Sequence, residues 1–422
     1  MKTPQNEPVG RSRFAITLFF TLFYFGIFSL HENQEYALFK FFSYNKIMSI
    51  KLSKILYHPL LIQFRGASNF GYANKQRLIG ICEVIDTDGL SGFGEIYASS
   101  YFSPDLTLSI IKNLAGATLQ QSFETPIEFY EKLSIPFVSR GGLIETLIGG
   151  IDIAVWDLFL KSRKLTLSNY LGVTKLNIPK LYFSSGSNYM TAQEIERECT
   201  KISNRFSGYK LRVGLNRAHE DLDRVDSAAS NLNSGSSLMI DAIMSTNPQP
   251  WELGHAIEMV KSFSTKKPIW IEEPLHPNNL SDYVELCQKF PKVIACGEAL
   301  ISDVEFQAYE KIENLGFIQL DATQNGGLTK TLKILNRIAS QNRSVTMHVW
   351  GSKLAFNLNY QIAQLYSFIS WVEYPGYTMA IDQIIGDSSL QESMVGFSNL
   401  NTLDGPEFQH SWSGDAGIYR IK

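Results

Sequence analysis

The chain has 422 residues, 44% of them hydrophobic and 19% charged, which is enough to bury a large core. A formal net charge of -3 and the lack of a long basic run exclude a general nucleic-acid binder. Four scattered cysteines (Cys82, Cys199, Cys287 and Cys296) form no CxxC, which excludes a zinc ribbon or disulfide framework and predicts a cytoplasmic setting.

Phe14 to Leu30 reads FAITLFFTLFYFGIFSL, uncharged throughout and preceded by Arg11 and Arg13. It reads as a membrane anchor, as a signal peptide without a small-x-small cleavage site, or as an extension upstream of a start at Met48. Residues 1–47 are therefore set apart, and any membrane contact is expected through 14–30.

Residues 50–64 and 77–97 read as strands, with the turn Asp86-Thr87-Asp88-Gly89 between two of them. Residues 104–171 read as helices, where Ile144, Leu147, Ile151, Ala154, Val155 and Leu158 form one apolar face. Together they predict an α+β domain over 48–175.

From about residue 180 short apolar runs alternate with amphipathic stretches such as Leu328 to Ser340. The runs are LYFSSGS (181–187), YKLRV (209–213), LMIDAI (238–243), IWIEEP (269–274), VIACGEA (293–299), FIQLDA (317–322), SVTMHV (344–349) and SWVEYP (370–375). Strands alternating with helices imply parallel βαβ units. Eight of them predict a closed (β/α)8-type barrel over 176–376, with its active site at the C-terminal strand ends.

Charged and polar residues interrupt these runs near those ends: Lys210 and Arg212, Asp241, Glu272 and Glu273, Glu298, Asp321, His348 and Glu373. Buried parallel strands should be nearly continuous in apolar residues. Propensity does not explain charges at the same end of seven consecutive strands, which would converge on one mouth.

Asp241, Glu272 and Glu298 lie on adjacent strands, and three converging carboxylates call for a cation. Oxygen-only ligands suit Mg²⁺. Glu273, one residue on, is expected on the opposite side of the strand as a structural partner of a lysine. Asp321 beside His348 would set the imidazole tautomer and make it a general base. Lys210 and Arg212, two apart, share a face. A lysine among other cations would have a lowered pKa and act as a base, whereas arginine stays protonated and can clamp a carboxylate or stabilise an enolate. Glu373, if protonated, would donate to that enolate.

At these residues the sequence resembles the enolase superfamily, specifically its mandelate racemase-like subgroup, over roughly 50–400. The resemblance rests on TDGLSGFGEIY (87–97), GGIDIAVWDLFLKSRKLTLSNYLG (149–172), WIEEP (270–274), CGEA (296–299), LDATQNGGLTK (320–330), MHVWGS (347–352) and WVEYP (371–375). It implies a modified TIM barrel with an N-terminal capping domain, completed by the C-terminal segment 377–422. It implies Asp241, Glu272 and Glu298 as Mg²⁺ ligands, Asp321 and His348 as a dyad, Lys210 and Arg212 at the family's Lys-x-Lys positions, and Glu373 as the last-strand electrophile. A homo-oligomer is also implied. Three departures stand out: Arg212 replaces the second lysine, Ile243 stands where the family often has Asn, and residues 405–420 carry an insertion.

One histidine base with arginine in the second-lysine position predicts dehydration of a sugar acid, a small carboxylic acid substrate, to a 2-keto-3-deoxy acid. The rivals are a racemase or epimerase using Lys210 and His348, and a membrane-tethered binding barrel without catalysis. Substrate contacts are expected near residues 64–75, at Ser68, Asn69, Tyr72 and Lys75, and near 95–99.

Overall fold

The computed structural model describes residues 49–65, 76–97, 101–116, 118–119, 121–133, 142–202, 205–341, 343–376 and 378–379. The apolar segment 14–30, the loop with Ser68, Asn69, Tyr72 and Lys75, and the insertion at 405–420 lie outside the described residues.

The first unit is an antiparallel sheet: β1 (Ile50–Arg65), β2 (Gln76–Asp86) and β3 (Ser91–Ile96) pair in that order. The expected turn closes β2 onto β3, with the Asp86 carboxylate accepting from the N–H groups of Asp88 and Leu90. The 104–171 stretch is helical as α1 (Pro104–Gly116), α2 (Pro126–Lys132), α3 (Leu143–Arg163) and α4 (Leu167–Tyr170). It also contains a short strand that the sequence reading missed, β4 (Ser122–Phe123), paired with the start of β1. Two residues carry too little alternation to announce a strand.

Helix α3 lies against β3. A Cβ on Gly92 or Gly94 would overlap the backbone of Ala154 or Gly150, so the FGE stretch reaches the helix only because its small residues admit that approach. The far side of α3 meets the second unit. Asp152 accepts from the Thr329 N–H at 2.8 Å and its hydroxyl at 2.6 Å, and Trp156 Nε1 donates to that hydroxyl at 2.8 Å. Lys330 pairs with Glu145 beside them.

Burial pushes the Asp152 carboxyl up to about 7, against the lowering effect of its Thr329 hydrogen bonds. The folded chain then holds this proton more tightly than the unfolded one. Its contribution is complete at acid pH and is lost as pH rises from about 4 toward 7. Asp152→Asn is expected to flatten that slope, by roughly 4 kcal/mol across the window, in urea midpoints measured from pH 4 to 8.

The second unit is the expected barrel. Strands β5 (Lys180–Ser185), β6 (Gly208–Arg212), β7 (Ser237–Asp241), β8 (Ile271–Glu272), β9 (Ile294–Cys296), β10 (Phe317–Leu320), β11 (Ser344–Met347) and β12 (Ile369–Pro375) are all parallel, and β12 closes onto β5. Between them run α5 (Ala192–Ile202), α6 (Ala218–Asn231), α7 (Leu253–Ser264), α8 (Leu280–Lys289), α9 (Asp303–Glu310), α10 (Leu328–Ala339) and α11 (Lys353–Leu365).

Period-two alternation sorts each strand. On β7, Leu238 and Ile240 join the core under the helices, while Met239 lies in a separate cluster inside the barrel. That inner cluster comprises Tyr182, Met239, Trp270, Ala295 and Trp371. Tyr182 and Trp270 meet edge to face at 5.3 Å, and this aromatic layer is the floor of the mouth.

A last short strand, β13 (Thr378–Met379), pairs antiparallel with the end of β1 at Phe64 and Arg65. The rest of the segment expected to return to the cap lies outside the described residues.

Candidate active site

The mouth is built from the strand ends. Arg212, Asp241 and Glu272 are register neighbours across β6, β7 and β8. Lys210 and Arg212 share their face, as expected. Lys210 is buried, with its ammonium 2.8 Å from Glu272, 3.0 Å from Glu373 and 3.5 Å from Asp241. Two further carboxylate contacts come from the aromatic floor: Trp270 Nε1 donates to Glu272 Oε2 at 3.0 Å, and Tyr182 Oη donates to Glu373 Oε2 at 3.2 Å.

On the other side, His348 Nδ1 meets Asp321 Oδ2 at 3.0 Å. Asp321 Oδ1 accepts from the Thr323 N–H and hydroxyl and from Asn359, so the carboxylate cannot turn away. A carboxylate on Nδ1 leaves Nε2 as the nitrogen that can take up a proton. Nε2 points at the carboxylates, 3.1 Å from Glu298 and 3.8 Å from Glu373. Burial works against the charged imidazole, but Glu373 and Asp321 outweigh it and raise the His348 pKa above its usual value.

Three expectations are corrected. Lys210 is surrounded by carboxylates, not by cations. Burial alone would lower its pKa, but Glu272, Glu373 and Asp241 together raise it well above the lysine value, the opposite of the expected direction. Glu373 is not a protonated donor: burial pushes it up, yet Lys210, His348 and Arg212 bring it down to about 2. It accepts hydrogen bonds instead, including one from the Val349 N–H at 3.2 Å.

The third concerns Glu273. β8 ends at Glu272, and Glu273 adopts φ +40°, so strand alternation no longer governs where it points. Among the described residues no lysine pairs with it. Both oxygens are buried without a hydrogen-bond partner, with the Ser245 hydroxyl facing them outside bonding geometry. Burial, with the charges of Asp241 and Glu272 adding, lifts it to about 8. Burial and the Glu272 charge push Asp241 to about 6, against Lys210 and Arg212, while burial with the charges of Glu273, Glu272 and Asp241 raises Glu298 well above its usual value.

Among the described residues no three side chains are already drawn around one point as metal ligands. Glu298 is turned onto His348, and Lys210 lies among Glu272, Glu373 and Asp241. The donor chemistry nevertheless fits a hard divalent cation: all donors are oxygens, and the partnerless Glu273 carboxylate lies beside Glu272. One buried ammonium is too little positive charge for this many carboxylates.

Arg212 donates to Ser185 O at 2.9 Å and Ser184 Oγ at 3.1 Å, and stacks on the Trp350 ring at 5.1 Å. Trp350 was not singled out from sequence, nor were Tyr182, Trp270 and Asn359. Only Trp270 carried a signal, since it stands two before Glu272 and so shares its face. Ile243 adopts φ +50°, a conformation Asn tolerates and a β-branched residue resists. Ile243→Asn is expected to raise stability by about 1 kcal/mol, read as a shift in the thermal midpoint.

Residues 194–395 match the family described as Enolase C-terminal domain-like. The L-talarate/galactarate dehydratase of Salmonella typhimurium is 28% identical over 298 residues, covering 70% of this chain and 72% of that protein. A mandelate racemase/muconate lactonizing enzyme structure from Bordetella bronchiseptica RB50 superposes with a TM-score of 0.70 at 19% identity, covering 84% of this chain and 99% of that one. The L-talarate dehydratase of Polaromonas sp. JS666, solved with Mg and L-glucarate, gives a TM-score of 0.65 at 24% identity, covering 77% and 86%. The eight-stranded parallel barrel, the antiparallel cap and the match over residues 194–395 make this chain similar to the enolase superfamily, with mandelate racemase-like folds and sugar-acid dehydratases among the proteins it resembles.

Proposed function

We propose that this chain is a Mg²⁺-dependent carbon–oxygen lyase that dehydrates a sugar acid to a 2-keto-3-deoxy acid. The observation that carries the reading is one oriented imidazole, His348 on Asp321, whose Nε2 faces a group of buried carboxylates. Asp241, Glu272 and Glu298 would hold the metal. When bound, Mg²⁺ supplies positive charge where the substrate carboxylate becomes more negative as its α-proton leaves.

The protein's own groups do the rest. His348 Nε2 takes the α-proton, and Asp321 stabilises the imidazolium that results. The same proton is then available to the departing β-hydroxyl, which leaves as water. The enol that remains tautomerises to the 2-keto acid. Lys210 and Arg212 present fixed positive charge to the substrate carboxylate, and ionised Glu373 holds Lys210 in place. The dehydratase relatives support the hydro-lyase assignment.

The rival racemase chemistry needs a second base. The described geometry gives Lys210 as an ammonium ringed by three carboxylates, which supports a one-base reaction. The test is a panel of aldonic and aldaric acids incubated with the Mg²⁺-loaded protein. At least one is expected to yield a semicarbazide-reactive keto acid, and a panel without any such product would contradict the assignment.

A further inference from the structure

Glu95, a side chain of the cap, ties down the loop that follows His348. Glu95, on β3, accepts from the Ser352 hydroxyl at 2.6 Å, and the Ser352 N–H lies 3.2 Å from each of its carboxylate oxygens. Both residues are buried. Ser352 is the N-cap of α11, its hydroxyl also accepting from the Leu354 N–H at 3.2 Å. The carboxylate thus meets the positive end of that helix, where a negative charge is favoured.

The approach is specific to the residues present. A Cβ at Gly351 would stand 2.8 Å from Glu95 Oε1 and 2.6 Å from the Ala355 Cβ, so a larger residue would displace the carboxylate or the helix. Other contacts also hold the stretch between His348 and Ser352. The Val349 N–H donates to Glu373 at 3.2 Å, and the Trp350 ring covers the Arg212 guanidinium. At its other end, Glu95 is held by β3, whose glycines lock it onto α3.

We propose that Glu95 is a positioning residue: by fixing Ser352 it sets the path of residues 348–352, and so holds the His348 ring toward the carboxylates and Trp350 against Arg212. It touches no reacting atom. The consequence for turnover rests on the function proposed above; the seating of the imidazole does not.

The test uses the full Mg²⁺-loaded chain. Diethyl pyrocarbonate modification of His348 is followed by peptide mass spectrometry, with His58 and His255 as internal references. Glu95→Gln and Ser352→Ala are each expected to speed modification of His348 by about 10-fold, as loss of a charge-assisted hydrogen bond implies, with the reference histidines unchanged. The double variant should be no faster than Glu95→Gln, because both act through one contact. On a turned-over acid, kcat should fall about 10-fold with KM within about twofold. Unchanged His348 modification in both variants would overturn the proposal, as would equal acceleration at His58. If Glu95→Gln fails to fold, Ser352→Ala decides alone. If no acid is turned over, the modification rates still decide, since they need no substrate.

Discussion

Replacing His348 by Asn is expected to lower turnover by about 10³-fold while leaving the fold and Mg²⁺ binding in place. An asparagine amide can still donate to Asp321, so the buried carboxylate keeps a partner and the local structure keeps its shape. What disappears is the basic Nε2, the nitrogen that faces Glu298 and Glu373. The other described histidines lie elsewhere: His58 is engaged with Glu83 in the cap sheet, His219 is on α6, His255 on α7 packs on Trp251, and His276 accepts from the Asn278 N–H. The measurement is kcat on the responsive acid, with circular dichroism and Mg²⁺ titration as controls. Activity within about tenfold of the parent would remove His348 from the mechanism.

Glu272→Gln is expected to weaken Mg²⁺ binding beyond the roughly 10–100-fold that loss of a metal's outer partner costs. Glu272 sits in register beside Asp241, is buried, and is held from below by Trp270. The amide conserves volume but removes the charge. It also takes away the nearest partner of the Lys210 ammonium, which keeps Glu373 and Asp241. The variant should therefore fold and still fail to bind metal, separating the ligand role from a structural one. Calorimetric titration with Mg²⁺, or electron paramagnetic resonance with Mn²⁺, reads the effect.

Much of this architecture is legible in the chain itself. Eight apolar runs separated by amphipathic stretches give the barrel because parallel strands buried on both faces need continuous apolar sequence. For the same reason the interruptions at Lys210, Asp241, Glu272 and His348 stand out, and the structure brings them to one mouth. Electrostatic state was less legible. Whether Lys210 lies among cations or anions depends on how Glu272, Asp241 and Glu373 turn toward it, and Glu373 stands far along the chain on β12. Only closure of the barrel makes them neighbours. Glu273 shows a second limit, since period-two reasoning holds only while the strand continues, and β8 stops one residue earlier. Trp350, Asn359 and Glu95 act from loops, helices or the cap, where no periodicity points at the mouth. The interface between α3 and α10 was equally silent, because Asp152 reads as one more polar residue beside Glu145, Asp157 and Lys161 of the same helix.

The most direct test of the central claim is proton NMR of the Mg²⁺-loaded protein in D₂O with the acid that responds in the panel. Loss of the α-proton signal is expected together with formation of a 2-keto-3-deoxy acid, both abolished by removing Mg²⁺ or by His348→Asn. Exchange of the α-proton for deuterium with the β-hydroxyl retained, or product formed at an undiminished rate without the imidazole or the metal, would contradict it.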